Sequence, residues 1–321
     1  MSPSCRCGGL AAAALLSLLA CRPRVDVTPP PATAPAELAA IAGASVMIGA
    51  GDIGSCRSPG DELTARLVDS VLRADSAAGV EDVVFTLGDN AYDNATDRDF
   101  ATCFRPSWGD STKLIMRKIR PAPGNHEHRT ERGAPYYRFF GRRAGNPDRG
   151  YYAYDIGEWR AIVLNSEILV SGEFGPRDRE AQEEWLINEL RSNRKRCTVA
   201  YWHHPRFSSG WHGSDIRMDT WWRILYEHGV DVVLTGHDHH YERFYPLDPT
   251  GQIDTARGIV QFVVGTGGIE LRGISRVQPH SAARIVGRWG VLKLALGREE
   301  YRFAFLEPGG RVWDPGSGRC H

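Results

Sequence analysis

Five short segments of this 321-residue chain gather side chains that bind hard and borderline metal ions. They are Gly51-Asp52-Ile53-Gly54, Gly88-Asp89-Asn90-Ala91-Tyr92, Gly124-Asn125-His126-Glu127, Trp202-His203-His204-Pro205 and Gly236-His237-Asp238-His239. Together they offer carboxylate, phenol, amide and imidazole donors, a set suited to iron, zinc or manganese and not to copper(I). The glycines suit tight turns that bring backbone close to an ion. Each segment alone has an ordinary reading: a Gly-Asp after a strand is usually a turn, and a His-His before proline often serves backbone carbonyls. Five in this order, each after an apolar stretch, imply one shared site. The chemistry such a set supports is metal-assisted hydrolysis, in which a bound ion acidifies water.

Positioning these segments requires strands that end together. Ala44 to Ile48, Val83 to Leu87, Val199 to Trp202 and Val232 to Thr235 read as buried strands, and each leads into one of the segments. Helical periodicity covers Asp61 to Ala78, with Leu63, Leu67, Val71 and Leu72 on one face. It recurs over Arg177 to Arg191, with Trp185, Leu186 and Leu190 inward, and over Thr220 to His228. Tyr151 to Asp155 and Trp159 to Asn165 form a hairpin pattern across Gly157, and Ile259 to Val264, Val291 to Leu296 and Tyr301 to Leu306 supply closing strands. Repeated strand–helix–strand order implies an α/β fold with helices over a largely buried, mixed sheet. In such sheets ligands bind beyond the carboxyl ends of the strands, where the five segments fall.

The ordered set resembles the calcineurin-like metallophosphoesterase superfamily, and more closely its purple acid phosphatase branch. Tyr92 lies three residues after Asp89, His203 two before Pro205, and Gly236-His237-Asp238-His239-His240-Tyr241-Glu242-Arg243 is similar to that branch's Gly-His-x-His-x-Tyr-Glu-Arg. The resemblance covers roughly Val46 to Tyr245. It implies a four-layer β-sandwich of two mixed sheets flanked by helices, with a dinuclear site at the strand ends. It implies Fe(III) held by Asp52, Asp89, Tyr92 and His239, and a divalent iron, zinc or manganese ion held by Asp89, Asn125, His203 and His237. A phenolate with carboxylates favours a trivalent ion, and neutral amide and imidazole ligands suit a divalent one. The implied reaction is hydrolysis of a phosphate monoester on a small substrate by hydroxide formed at the metals. His126 and His212 are the candidates to protonate the leaving alkoxide. His204 is read as structural, sent by strand alternation to the opposite side. Asp238 and His240 are read as orienting the ligands, Glu127 as bonding one, and Arg243 as packing with Glu242. The loops leave open a phosphodiesterase or nucleotidase on the same metals, and a non-catalytic binder of phosphorylated ligands.

Lys+Arg and Asp+Glu both number 39, and this zero net charge argues against nucleic acid as the main partner. The start of the chain reads as an export signal over residues 1–21. Its apolar run Leu10 to Ala20 is too short to span a bilayer, and Leu18-Leu19-Ala20-Cys21 resembles a lipobox, which implies lipid attachment at Cys21 on a bacterial membrane. A Pro-rich linker over residues 22–43 then precedes the domain, residues 44–321. Outside the leader, Cys56, Cys103, Cys197 and Cys320 fit two disulfides in an oxidising compartment, periplasmic or at the cell surface. Three pairings are open; Cys56–Cys103 and Cys197–Cys320 would each fasten a loop or tail to the core.

Overall fold

The structure, a computed structural model, describes Ile41 and residues 43–321. The leader and nearly all of the linker lie outside the described residues, and with them the reading of Cys21. The strands, in chain order, are β1 (Ser45–Ala50), β2 (Asp82–Leu87), β3 (Ile119–Ala122), β4 (Tyr152–Ile156), β5 (Trp159–Val163), β6 (Cys197–Tyr201) and β7 (Val232–Thr235). They continue as β8 (Tyr241–Phe244), β9 (Val260–Val264), β10 (Ser281–Ile285), β11 (Val291–Leu296), β12 (Glu300–Leu306) and β13 (Val312–Arg319). They form two mixed sheets, ordered β13-β12-β11-β1-β2-β3 and β10-β8-β9-β7-β6-β5-β4.

In the first sheet β1, β2 and β3 run parallel, and in the second β5, β6, β7 and β9 do. The two sheets face each other across one apolar core, joined by ring contacts between Phe85 and Tyr201, Tyr241 and Phe305, and Phe262 and Phe303. Side-chain alternation shows in β6, where Val199 and Tyr201 enter this core. Ala200 instead faces a second core with Trp221, Trp222, Leu186 and Leu190 from the helices Pro176–Ser192 and Asp219–Glu227. The layers are therefore helix, sheet, sheet, helix.

The helix Gly60–Ala77 buries Thr64, Ala65, Val68 and Leu72, while Leu67 and Val71 are only partly covered. The face is rotated from the expected one because Thr64 is recruited inward: its hydroxyl donates to the Gly267 carbonyl at 2.5 Å and accepts from the Trp108 indole at 3.0 Å. On the helix Pro176–Ser192 the inner face takes Gln182 in place of Trp185, because the Gln182 amide bonds both backbone groups of Asn165. Strands β8, β10 and β13 lacked a legible pattern. β13 contains Pro315, Gly316 and Gly318, residues a sheet tolerates at its edge, where β13 lies. Both expected disulfides form, Cys56–Cys103 and Cys197–Cys320. No helix among the described residues is long and apolar enough to cross a membrane.

Arg243 does not pair with Glu242. It forms a two-pronged salt bridge with buried Asp314, at 2.8 Å on each prong, and the Tyr241 hydroxyl donates to the same carboxylate at 2.7 Å. Asp314 belongs to the first sheet and its partners to the second, so this carboxylate ties the two layers. Removing it strands a guanidinium that is largely covered. Asp314→Ala should lower unfolding free energy by about 3 kcal/mol, and Asp314→Leu combined with Arg243→Met should recover most of it. Urea denaturation of the three proteins checks this; an unchanged midpoint in Asp314→Ala would refute the tie.

Candidate metal centre

The parallel strands of both sheets end on the same side of the molecule, and the five segments leave from those ends. β1 leads to Asp52, β2 to Asp89, β3 to Asn125, β6 to His203 and β7 to His237 and His239. Backbone bonds stitch these loops together: Asp52 N–H donates to the Gly88 carbonyl, Gly51 N–H to Val264, Gly236 N–H to His203 and Arg272 N–H to His239. Three of the gathered residues, Asp52, Asp89 and His237, hold left-handed φ angles of 61°, 49° and 69°. Such conformations are costly for residues with a side chain and gather at functional sites. Glycines supply the close approach. A Cβ on Gly124 would lie 2.4 Å from Asp89 Oδ1, and one on Gly236 2.6 Å from Asp52 Oδ2.

All seven residues read as ligands come together. The Tyr92 hydroxyl lies 2.8 Å from Asp52 Oδ1 and 3.1 Å from Asp89 Oδ2. His203 Nε2 lies 3.3 Å from Asp89 Oδ2, 3.2 Å from Asn125 Oδ1 and 3.1 Å from His237 Nδ1. His239 Nε2 is 3.5 Å from Asp52 Oδ1. The donor set fits cations for a reason visible in its tautomers. His203 Nδ1–H donates to the Leu87 carbonyl at 2.7 Å and His239 Nδ1–H to the Glu270 carbonyl at 2.8 Å. A neutral ring so held turns an Nε2 lone pair toward carboxylate oxygen, and lone pairs facing one another require positive charge between them. Asp89 lies between the two groups and is placed to serve both.

The electrostatics carry the same message. Burial, with the Asp89 charge adding, pushes Asp52 up to about 7. Burial opposes the ionised form of Asp89 too, but His203 and His126 outweigh it and hold its pKa well below the usual range. Burial also disfavours the charged form of His203, yet Asp89 raises it to about 10, so positive charge is favoured at this position. Burial and the two carboxylates push Tyr92 well above its ordinary value.

The two proton-transfer candidates sit on opposite walls. His126 packs on the Tyr92 ring at 4.3 Å, its backbone N–H donates to Asp89 Oδ1 at 2.8 Å, and its Nδ1 is fixed by the Asp93 carbonyl. Its Nε2 is thereby turned toward Asp89, 3.7 Å away. His212 stacks on His237 at 4.1 Å, and its Nε2 accepts from Arg272 at 2.7 Å. His204 is not on the far side. β6 ends at Tyr201, so alternation does not extend to it, and its buried ring lies 4.3 Å from that of His237 while Nδ1 meets the Ser166 hydroxyl at 2.9 Å.

Glu127 bonds Asp89, as expected, and two further residues besides: it accepts the backbone N–H groups of Asp89, Asn90 and Gly124 and so frames the central loops. Asp238 does not orient the ligands; it accepts from the Ser208 hydroxyl, His212 N–H and Gly213 N–H and holds the loop carrying His212. His240 bonds Glu242, whose other contacts are to Ser209 of the same loop. Arg57, Arg129 and Arg272 line the cleft, whose volume is about 290 Å³. Exposed arginines scattered in sequence give no periodic signal that could have found them.

Residues 48–241, more than half of the chain, match the calcineurin-like phosphoesterase family. Mouse (Mus musculus) acid phosphatase type 7 is 26% identical over 260 residues, covering 67% of this chain and 55% of its own. Purple acid phosphatase 15 of Arabidopsis thaliana is 25% identical over 226 residues, covering 58% and 40%. The chain thus spans about half the length of these curated relatives. Among solved structures, a purple acid phosphatase from yellow lupin (Lupinus luteus) seeds superposes with a TM-score of 0.67 at 20% identity, covering 86% of this chain and 54% of that one. The anchor in the inner membrane complex of Plasmodium superposes at 0.66 and 14% identity, covering 87% and 89%. Matched motifs, two facing mixed sheets and a gathered donor set agree: the chain belongs to the calcineurin-like phosphoesterase family, with its similarities running to the purple acid phosphatase branch.

Proposed function

We propose that this protein is an exported, dinuclear metal-dependent phosphatase that hydrolyses phosphate monoesters. The observation that carries the reading is the convergence of seven buried or cleft-lining donors, with opposed lone pairs, in a cleft edged by guanidinium groups. Asp52, Tyr92 and His239 would hold one ion, Asn125, His203 and His237 the other, and Asp89 would serve both. Bound there, the ions would supply Lewis acidity, to acidify water and polarise a phosphoryl group.

The chain's own residues supply the rest. Arg129 donates to the Asp93 carbonyl at 3.1 Å and Arg272 to His212, so neither charge is cancelled by a paired carboxylate among the described residues. Both suit the dianion of a monoester better than the single charge of a diester. The Asp93 carbonyl fixes the Nδ1 proton of His126, which leaves Nε2 to carry the proton delivered to the leaving oxygen. His212 offers its Nδ1 from the opposite wall, since Arg272 occupies its Nε2. Export is supported by the apolar leader ending in Cys21 and by the two disulfides, which persist in oxidising compartments. A lipid anchor at Cys21 would place the enzyme on the periplasmic or outer face of a bacterial membrane.

Three outcomes are expected. Asp89→Ala should lose both metals by elemental analysis together with all hydrolysis; a full metal complement in that variant would contradict the shared role. With iron at the Tyr92 position, the purified protein should absorb visible light through phenolate-to-iron charge transfer, and Tyr92→Phe should be colourless. An active, colourless wild type containing only zinc or manganese would remove the iron assignment. His126→Ala should lower kcat for an alkyl phosphate roughly 100-fold or more. The loss should be far smaller for p-nitrophenyl phosphate, whose leaving group needs no proton; equal losses on both would argue that His126 is not the acid.

A further inference from the structure

The loop that carries His212 presents an indole to solvent. Trp211 is 74% exposed, the highest value among the exposed large apolar residues, and it directly precedes a cleft-lining histidine. Its exposure is not that of a loose loop. Asp238 takes three hydrogen bonds from Ser208, His212 and Gly213, and Glu242 takes two from Ser209. Ser209 is bonded in turn by Ser275 and Gln278 of the facing loop. Gly210 lies so close to Asp238 that a Cβ there would come within 2.5 Å of Oδ1. The backbone on both sides of Trp211 is thus anchored to buried carboxylates, and the ring is presented to solvent from an anchored loop as a platform.

Arg272 connects that platform to the centre. Its guanidinium lies 5.9 Å from the Trp211 ring centroid and donates to His212, whose ring stacks on His237. Moving outward from the donor cluster, a substrate meets imidazole, then guanidinium, then indole. That order matches an ester whose phosphate occupies the centre and whose alcohol carries a planar aromatic ring, because rings stack on an exposed indole and a neighbouring cation adds to the attraction. An aliphatic alcohol would leave the indole in water.

We infer that Trp211 is a specificity-determining residue and that the substrates this site favours carry a planar aromatic ring, a nucleobase or an aryl group, on the leaving-group side. This rests on the phosphatase reading above. The test compares adenosine 5′-monophosphate with ribose 5-phosphate, which leave from the same kind of oxygen and differ by the base, and adds phenyl phosphate. Trp211→Ala should lower the ratio of kcat/KM for the nucleotide over the sugar phosphate roughly tenfold, through KM, and Trp211→Phe should restore most of it. A loss confined to the nucleotide places the ring one sugar from the ester oxygen; a loss confined to phenyl phosphate places it at that oxygen. Unchanged ratios, or equal losses on all three substrates, would overturn the inference. Saturation-transfer NMR with adenosine and with ribose separates this from the phosphatase reading. Transfer to the adenine protons of the wild type, absent in Trp211→Ala, supports the platform even if no substrate is hydrolysed; adenine signals alike in both proteins refute it.

Discussion

Like charge held out of water is the constraint around which this molecule is arranged. Asp52 and Asp89 are both buried, and one phenol lies within hydrogen-bond distance of each. A lone Tyr92 proton cannot satisfy both carboxylates, and no apolar packing offsets an uncompensated buried charge. Protonation relieves part of that repulsion. Asp52 is pushed toward its neutral form and His203 toward its charged one, so the cluster carries less charge than its formal groups suggest. Two bound cations would displace those protons and remove the repulsion that imposed them. Stability and chemistry are therefore coupled at one place, and the surrounding fold can be understood as what keeps these groups from moving apart.

Keeping them there requires backbone in unfavourable conformations. Three of the seven donors are left-handed, and Gly124 and Gly236 stand where a side chain would strike Asp89 and Asp52. Local strain of this kind persists only when the surroundings over-determine it. The surroundings here are parallel strands with near-continuous apolar sequence, fully buried, with ring contacts crossing from sheet to sheet. Glu127 adds a local brace, since one carboxylate fixes the backbone N–H groups of Asp89, Asn90 and Gly124.

This division explains what could be read from the residues and what could not. Strands β1, β2, β6 and β7 are mostly apolar runs, and the turns that follow them carry Gly-Asp, Gly-His and His-Pro signals, so the centre was legible. The Asp314 tie was not, because Arg243 and Asp314 are 71 residues apart and only the packing of two sheets unites them. Adjacent Glu242 was the natural partner on paper, yet it faces the other way along β8, toward Ser209 and Ser281. His204 misled for a related reason: alternation holds inside a strand, and β6 had already ended. Thr64 and Gln182 escaped because hydrophobic periodicity cannot foresee polar groups that turn inward to satisfy a backbone carbonyl or amide.

The segment His237 to Arg243 shows how tightly centre, rim and frame are joined. Its residues alternate in destination. His237 and His239 face the donor cluster, Asp238 and the His240–Glu242 pair hold the rim loop, and Tyr241 and Arg243 reach Asp314 in the other sheet. The alternation in β8 follows from the two-residue period of a strand, which sends neighbours to opposite faces. The turn before it achieves the same separation through the left-handed φ of His237. A rim anchored to the same tripeptide that supplies two donors cannot swing independently of them. The donors and the rim are therefore positioned as one unit, through a single stretch of chain.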